Sequence, residues 1–186
     1  MAKVAVILAQ GFEEIEALTV VDVLRRANIS CDMVGFEEQV TGSHDIQVKA
    51  DHIFDGDLSD YDLVVLPGGM PGSAHLRDNQ ALISQIKAFD QAGKKVAAIC
   101  AAPIVLSKAG VLTDKEATSY PGFDNEINCK LYNNEKAVIV DKNVITAQGP
   151  AVAILFGYEI VNYLLQDDTA QNISNAMLVP TLKNNL

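Results

Sequence analysis

The feature that most constrains the fold is an alternation of short apolar runs with stretches of helical spacing. Residues 4–9, 63–66 and 96–99 are almost unbroken apolar runs, which is typical of parallel strands covered on both faces. Between them, apolar residues recur at spacings of three and four, which predicts helices over residues 15–27 and 80–92. The pattern therefore predicts an α/β fold with a mostly parallel central sheet.

Weaker patterns complete this prediction. Residues 31–35 indicate a further strand, and residues 40–48 and 137–147 indicate antiparallel hairpins. A helix is expected from Pro150 to Leu165, followed by a short helix and a polar tail. Because no repeat or linker divides the chain, we expect a single domain over residues 1–186.

Composition excludes several classes of partner. The chain has 24 acidic and 14 basic residues and a formal net charge of −10, which opposes binding to nucleic acid or to anionic membranes. No apolar run approaches the roughly 20 residues that cross a bilayer, and the first residues indicate a core strand rather than a signal peptide. We therefore expect a cytoplasmic protein without a membrane segment.

The cysteines are three in number, at unrelated spacings: Cys31, Cys100 and Cys129. This pattern fits neither a disulfide framework nor a zinc site, so we expect free thiols in a reducing compartment and no bound metal. Cys31 falls in a predicted strand and Cys129 in a polar connection. We interpret both as structural.

Cys100 stands where an apolar strand ends and a helix with Pro103 in its first turn begins. The placement resembles a nucleophile elbow, and the small residues Ala98, Ala101 and Ala102 suit so tight a turn. Main-chain N–H groups at a helix start favour a thiolate, so we expect a pKa below the value of about 8.5 for a free thiol. A buried cysteine that acts as a small apolar side chain fits the local sequence equally well.

A glycine-rich turn at residues 67–72 follows one of the buried strands. Glycines such as Gly68 and Gly69 let main-chain amides approach a ligand closely, although a turn that is merely tight would look the same. In a doubly wound sheet this turn and Cys100 lie at the carboxyl ends of strands, where ligands bind. We predict an oxyanion hole made by the amides of Gly69 and Ala101. Because the turn matches neither the dinucleotide nor the P-loop pattern, we expect no nucleotide cofactor.

Three carboxylates follow the first strand. Acidic residues at a helix start usually complement the helix dipole, and we assign Glu13 and Glu14 to that role. Glu16 lies four residues before Val20 and is predicted to point to the apolar side of its helix, at the sheet edge that carries Cys100. A carboxyl group buried there stays protonated and can donate a hydrogen bond to a thiolate or exchange a proton with a substrate.

The histidines do not complete an obvious catalytic pair. His44, His52 and His75 all precede Cys100, and Ala101 follows it. We expect His44 and His52 in polar hairpin surroundings and His75 in a loop, all exposed to solvent. A Cys–His dyad stays open as an alternative, because the order of catalytic residues varies between folds.

Five segments together resemble the ThiJ/PfpI superfamily, and within it the branch of the parkinsonism-associated protein deglycase and its bacterial relatives. The resemblance covers nearly the whole chain. Its segments are Glu13-Glu14-Ile15-Glu16, Val21-Asp22-Val23-Leu24-Arg25-Arg26-Ala27, Val65-Leu66-Pro67-Gly68-Gly69, Ala97-Ala98-Ile99-Cys100-Ala101-Ala102-Pro103 and Thr146-Ala147-Gln148-Gly149-Pro150.

The resemblance implies a flavodoxin-like three-layer sandwich in one class I glutamine amidotransferase-like domain, usually a homodimer with its sites near the interface. It also implies an oxidation-sensitive Cys100 paired with a protonated Glu16, and a pocket lined by the amides of Gly69 and Ala101. No cofactor is implied. The matching motifs add further pocket residues, which are Gly68, Gly149 and Pro150.

Activities associated with that branch are cofactor-free conversion of methylglyoxal and glyoxal to hydroxy acids, deglycation of adducts, and protection against oxidative stress. We expect a glyoxalase III or protein deglycase type of enzyme, a lyase or hydrolase. Members of the protease branch have Cys-His-Gly at the elbow, whereas this chain has Cys100-Ala101-Ala102. The resemblance therefore does not imply a protease. Two alternatives stay open: a redox sensor or chaperone-like protein that uses an oxidisable Cys100 without turnover, and a dimeric binding protein.

One residue departs from the deglycase pattern. Where some members have a histidine before proline in the loop that faces the cysteine, this chain has Tyr120 before Pro121. A phenol can donate a hydrogen bond, but phenols ionise at a pH of about 10 and shuttle protons poorly at neutral pH. We therefore expect Tyr120 to line the pocket and glyoxalase turnover to be slow.

Overall fold

A computed structural model describes residues 2–185, which form one large sheet, two small sheets and flanking helices. The strands are β1 (Lys3–Leu8), β2 (Ser30–Gly35), β3 (Gln39–Thr41), β4 (Gln47–Lys49), β5 (His52–Ile53), β6 (Leu63–Leu66), β7 (Lys95–Ile99), β8 (Glu116–Ala117), β9 (Leu131–Tyr132), β10 (Val138–Asp141) and β11 (Val144–Ala147). The helices are α1 (Glu14–Arg26), α2 (Gly72–Asp78), α3 (Gln80–Gln91), α4 (Pro103–Lys108), α5 (Ala153–Leu165), α6 (Thr169–Ala176) and α7 (Val179–Lys183). Short 3-10 turns lie at Asp124–Glu126 and Pro150–Val152.

The large sheet has the strand order β10-β11-β7-β6-β1-β2-β5. Its neighbouring strands run parallel, with the exception of β10, which is antiparallel to β11. The mostly parallel sheet predicted from the sequence is therefore confirmed. Because β6 lies between β1 and β7, the segments that follow these three strands meet at one edge of the sheet.

Alternate residues of the central strands enter two separate cores. Along β1, Val4, Val6 and Leu8 pack into one core, whereas Ala5 and Ile7 pack into the other. All five side chains are fully buried, as the period of two in a strand requires when both faces are covered. This arrangement explains why the strands read as unbroken apolar runs.

Helices cover both faces of the sheet and so make three layers. Buried residues of α1, α5 and α6 complete the first core, and those of α2, α3 and α4 complete the second. On α1, Ala17, Val20 and Leu24 are fully buried at spacings of three and four. The predicted bounds of the helices at residues 15–27 and 80–92 agree with α1 and α3 to within one residue.

Several elements escaped prediction because they are short or follow residues typical of loops. Helix α2 begins directly after Pro71, so His75 lies on a helix and not in a loop. Strands β5, β8 and β9 have two residues each, too few to show a period. Helix α7 follows α6 in the segment expected to be a polar tail. Within residues 2–185, no helix is long and apolar enough to span a bilayer.

Candidate active site

The backbone at Cys100 turns sharply at the end of β7. Cys100 has a φ of 64°, a left-handed conformation that costs energy in residues other than glycine and is held by neighbouring contacts. Its N–H donates to the carbonyl of Ala147 at 2.9 Å, and its carbonyl accepts from the N–H of Tyr120 at 2.8 Å. The predicted turn between strand and helix is therefore present, and it carries the strain typical of a nucleophile elbow.

Two main-chain amides influence the sulfur of Cys100. The N–H groups of Ala101 and Gly69 both face it and favour its ionised form. Ala101 follows the elbow, and Gly69 comes from the turn after β6, where it has a φ of 90°. These are the two amides that the sequence predicted for an oxyanion hole, and the fold brings them to the same atom.

Glu16 lies beside Cys100 on the first turn of α1. Its side chain is completely buried, as the apolar spacing of the helix predicted. Oε2 accepts a hydrogen bond from the N–H of Gly68 at 2.8 Å. Oε1 is buried without a hydrogen-bond partner among residues 2–185. An ionised oxygen would be costly there, whereas a protonated one could donate to a neighbouring sulfur.

Gly68 is the point at which the two side chains meet. A Cβ atom added to Gly68 would lie 2.5 Å from Oε2 of Glu16 and 2.6 Å from the Cβ of Cys100. Both distances are far inside normal contact. The absence of a side chain at this position lets the carboxyl group and the thiol approach each other.

The surroundings of Glu16 favour its neutral form. Burial raises the pKa of Glu16 to about 7, and the negative charge of Glu13 adds to the rise. The neighbouring thiol of Cys100 and the hydrogen bond from the amide of Gly68 oppose it. The raised pKa expected from the sequence is confirmed in direction and cause.

The thiol of Cys100 differs from the sequence prediction, which expected a pKa below that of a free thiol. Burial raises the pKa of Cys100 to about 12, and the charge of Glu16 and its hydrogen bond contribute in the same direction. The amides of Ala101 and Gly69 lower it, but by less. Helix α4 has only six residues, so it supplies a small dipole against the cost of removing sulfur from water.

The two pKa values describe one coupled pair. The contribution of Glu16 to the pKa of Cys100 exists only while Glu16 is ionised, and it disappears when Glu16 holds a proton. The pair loses its first proton at a pH of about 7, where Glu16 titrates. The single remaining proton can then occupy either group. With the proton on Oε1 of Glu16, the sulfur is a thiolate that faces two amide donors.

Tyr120, Gly149 and Pro150 lie at the periphery of the site. Tyr120 is attached to the elbow through its main-chain bond to Cys100 and has a side chain that is half exposed. A Cβ atom on Gly149 would lie 3.1 Å from the ring of Tyr120, so the two residues pack together. Pro150 begins the 3-10 turn ahead of α5.

The three histidines are exposed and contact groups outside the Cys100 site. His44 pairs with Glu14, His52 Nε2 lies 3.6 Å from Asp32, and His75 Nδ1 lies 2.9 Å from the carbonyl of Gln10. Within residues 2–185 none of them contacts Cys100. The site is therefore built from a cysteine and a carboxyl group, without imidazole.

Glu13 and Glu14 stand at the start of α1, as the sequence indicated for partners of the helix dipole. Both are buried, because the hairpin of β3 and β4 folds over the start of α1. Glu14 accepts the main-chain N–H of His44 at 2.7 Å and contacts its ring at 2.8 Å. One atom from each of Glu13, Glu14 and His44 falls within a 4.8 Å cluster, and these internal bonds account for the cluster without an ion. No local sequence signal marks the burial, since it depends on a hairpin about 30 residues away.

Comparison with known proteins places this geometry in a family. Residues 2–163 match the DJ-1/PfpI family. Protein dj-1beta of Drosophila melanogaster is 39% identical over 178 residues, covering 94% of this chain and 95% of that protein. A protein named a deglycase from Pyrococcus horikoshii is 33% identical, covering 87% of this chain and 99% of its own.

Solved structures superpose on nearly the whole chain. Oxidized Toxoplasma gondii DJ-1 superposes with a TM-score of 0.90 at 35% identity and covers 96% of this chain and 98% of its own. A cysteine-to-alanine mutant of a DJ-1 superfamily protein from Salmonella typhimurium has a TM-score of 0.90 at 32% identity, covering 95% and 98%. Because residues 2–163 match the family model and the solved DJ-1 structures superpose on nearly the whole chain, the chain belongs to the DJ-1/PfpI family.

Proposed function

We propose that the chain is a cofactor-independent enzyme that converts small 2-oxoaldehydes, such as methylglyoxal and glyoxal, to hydroxy acids through Cys100. The observation that carries this proposal is the meeting of Cys100 and Glu16 at Gly68, where a nucleophile and a proton carrier share one proton. The relative named a deglycase supports carbonyl chemistry. Aldehyde adducts on other molecules form a second substrate class for the same site.

The first step of the proposed reaction forms a carbon–sulfur bond. The thiolate of Cys100 attacks the aldehyde carbon, and the carbonyl electron pair moves to oxygen. The amides of Gly69 and Ala101 stabilise the oxyanion, and Glu16 then protonates it. The product is a neutral hemithioacetal beside an ionised Glu16.

The second step moves a proton between neighbouring carbons. The Glu16 carboxylate removes the proton from the carbon that bears sulfur, which gives an enediolate. The remaining hydroxyl proton passes to the neighbouring oxygen, and Glu16 returns its proton to the adjacent carbon as the carbonyl group of the thioester forms. The result is a thioester of a 2-hydroxy acid. Water hydrolyses the thioester and restores the thiol, so that one aldehyde and one water give one hydroxy acid. A pKa of about 7 suits Glu16 to both directions of proton transfer.

Substrate consumption tests the proposal directly. We expect purified protein to consume methylglyoxal and Cys100→Ala to lose this activity. Glu16→Gln should lower the rate by roughly 100-fold or more, because proton transfer by a positioned group contributes that much. Cys129→Ala, which changes a half-buried thiol outside the site, is the matched control and should keep wild-type activity. Equal rates for wild type and Cys100→Ala would rule the enzyme out.

The pH dependence of Cys100 alkylation tests the shared proton without any substrate. In wild type the rate should rise through a pH of about 7, where the pair loses its first proton. In Glu16→Gln the inflection should move above the free-thiol value of about 8.5, because burial still raises the pKa of Cys100 while no neighbour accepts its proton. Site-resolved mass spectrometry measures both profiles. Overlapping profiles near the free-thiol value would contradict a coupled pair.

A second candidate function is redox sensing or chaperone-like protection without turnover. The favouring observation is that the sulfur faces two amides and a carboxyl oxygen that lacks a partner among the described residues. Peroxide would oxidise the thiolate to a sulfenate with release of water, and a second peroxide would give the sulfinate. A similar structure is that of an oxidized DJ-1.

Mild peroxide treatment distinguishes Cys100 from the other cysteines. We expect two oxygens on Cys100 before Cys31 or Cys129 react, since burial raises the pKa of both other thiols and, among the described residues, neither forms a hydrogen bond to a carboxyl group that could share its proton. Peptide mass spectrometry over a peroxide titration gives the order. Simultaneous oxidation of all three cysteines would argue against a sensor, and oxidation with no methylglyoxal consumption would favour it over the enzyme.

We also propose that the protein acts in the cytoplasm, where its free thiols stay reduced.

We further propose that the protein forms a homodimer. The first turn of α1 offers the dimer an apolar surface, where Ile15 is 56% exposed beside Glu16. Leu18, Ile154 and Met177 line the same groove. A second copy seated there would lie next to the active site and cover this apolar patch.

Light scattering after size exclusion measures the oligomeric state. We expect a dimer for wild type and a monomer for Ile15→Asp, because a charge at the centre of an apolar interface has no partner. Leu182→Asp changes an equally exposed leucine on α7 and should leave the dimer intact. A monomeric wild type at micromolar concentration would contradict the homodimer.

A further inference from the structure

We propose that Glu13 is a positioning residue that locks Glu16 and the glycine turn into one unit and, through its negative charge, helps the pair retain its proton. This inference rests on the proposed function, because it concerns the same Cys100–Glu16 pair. It does not depend on any one substrate. Glu13 neither touches the sulfur nor transfers a proton, so its role is exerted through Glu16.

The geometric basis is a closed ring of three hydrogen bonds. The N–H of Glu13 donates to the carbonyl of Gly68 at 2.9 Å. The N–H of Gly68 donates to Oε2 of Glu16 at 2.8 Å. The N–H of Glu16 donates to Oε2 of Glu13 at 2.7 Å. Each residue in the ring is therefore held by the other two, and the Glu16 carboxyl group cannot move without breaking a buried bond.

Glu13 also caps α1. Its side chain takes the N-cap position, and its carbonyl accepts the N–H of Ala17 at 3.1 Å. Serine, threonine, aspartate and asparagine are the preferred N-cap residues because their short side chains suffice. Capping alone does not require a glutamate. The negative charge of Glu13 beside Glu16 therefore indicates a second role for this residue.

The electrostatic basis is a negative charge in a place with little solvent. Glu13 is 8% exposed, and its charge favours the protonated form of Glu16. The groups that act on Glu16 come from three places: Cys100 from the elbow, Glu13 from the N-cap of α1, and the main-chain N–H of Gly68 from the glycine turn. His44 reaches the cluster from the β3–β4 hairpin, with Nδ1 4.0 Å from Oε1 of Glu13.

These neighbours set the pH range in which the charge acts. Although burial of Glu14 acts in the opposite direction, its hydrogen bonds with His44 lower its pKa, and the same contact raises the pKa of His44. When His44 loses its proton, the charge of Glu13 is no longer offset by a nearby cation. The effect of Glu13 on Glu16 is therefore strongest at pH values above the raised pKa of His44.

The test is the pH profile of Cys100 alkylation in variants at position 13. Glu13→Gln keeps an oxygen for the cap and removes the charge, so Glu16 should ionise more readily and the inflection should move by roughly half a pH unit to lower pH. Glu13→Ser, a good neutral cap, should give the same shift and covers the case in which the glutamine variant folds poorly. Glu13→Asp keeps both charge and acceptor and should restore the wild-type inflection.

Asp22→Asn removes one negative charge from the exposed side of α1 and is the matched control, with no expected shift. Profiles of Glu13→Gln and Glu13→Ser that overlay wild type would overturn the inference, even if the variants were less stable. The failure of the proposed function is distinguishable from this outcome: it would appear in wild type itself, as an inflection at the free-thiol value or as equal alkylation of all three cysteines.

Discussion

The hydrogen bond from the amide of Gly68 to Oε2 of Glu16 is the interaction on which the site depends. It fixes a fully buried carboxyl group against a main-chain turn that has no side chain to keep the sulfur of Cys100 away. An alanine at position 68 would occupy the space of both groups. The approach of Glu16 to Cys100 therefore depends on the absence of a side chain at position 68.

The parallel sheet explains why residues so distant in sequence meet there. Glu16, Gly68 and Cys100 follow β1, β6 and β7, which are adjacent strands in the sheet. Because the three strands run in the same direction, their carboxyl ends face one edge, and the following segments converge. These strands are buried on both faces, and the contacts around the turn hold Cys100 in its strained conformation.

Burial controls the chemistry more than the short helix after Cys100 does. Removing the thiol and the carboxyl group from water raises both pKa values, and proximity makes them share a proton near neutral pH. A thiolate at this position therefore depends on Glu16 holding the proton, and the amides of Ala101 and Gly69 stabilise the sulfur charge that results. The same arrangement would serve both proposed functions, because carbonyl attack and peroxide oxidation each require a thiolate in a site with oxyanion donors.

The sequence alone determined the layers of the fold and the principal residues of the site. Unbroken apolar runs marked the doubly covered strands, helical spacing placed Glu16 inward, and small residues around Cys100 marked the elbow. These signals are local, since each depends on the spacing of neighbouring residues. The sequence could not determine the direction of the pKa change at Cys100, because it depends on how completely the sulfur is buried. It also could not show that Glu13 and Glu14 are buried or that Glu13 closes a hydrogen-bonded ring with Gly68. Those facts arise from a hairpin and a turn that are distant along the chain, and only tertiary packing decides where such segments meet.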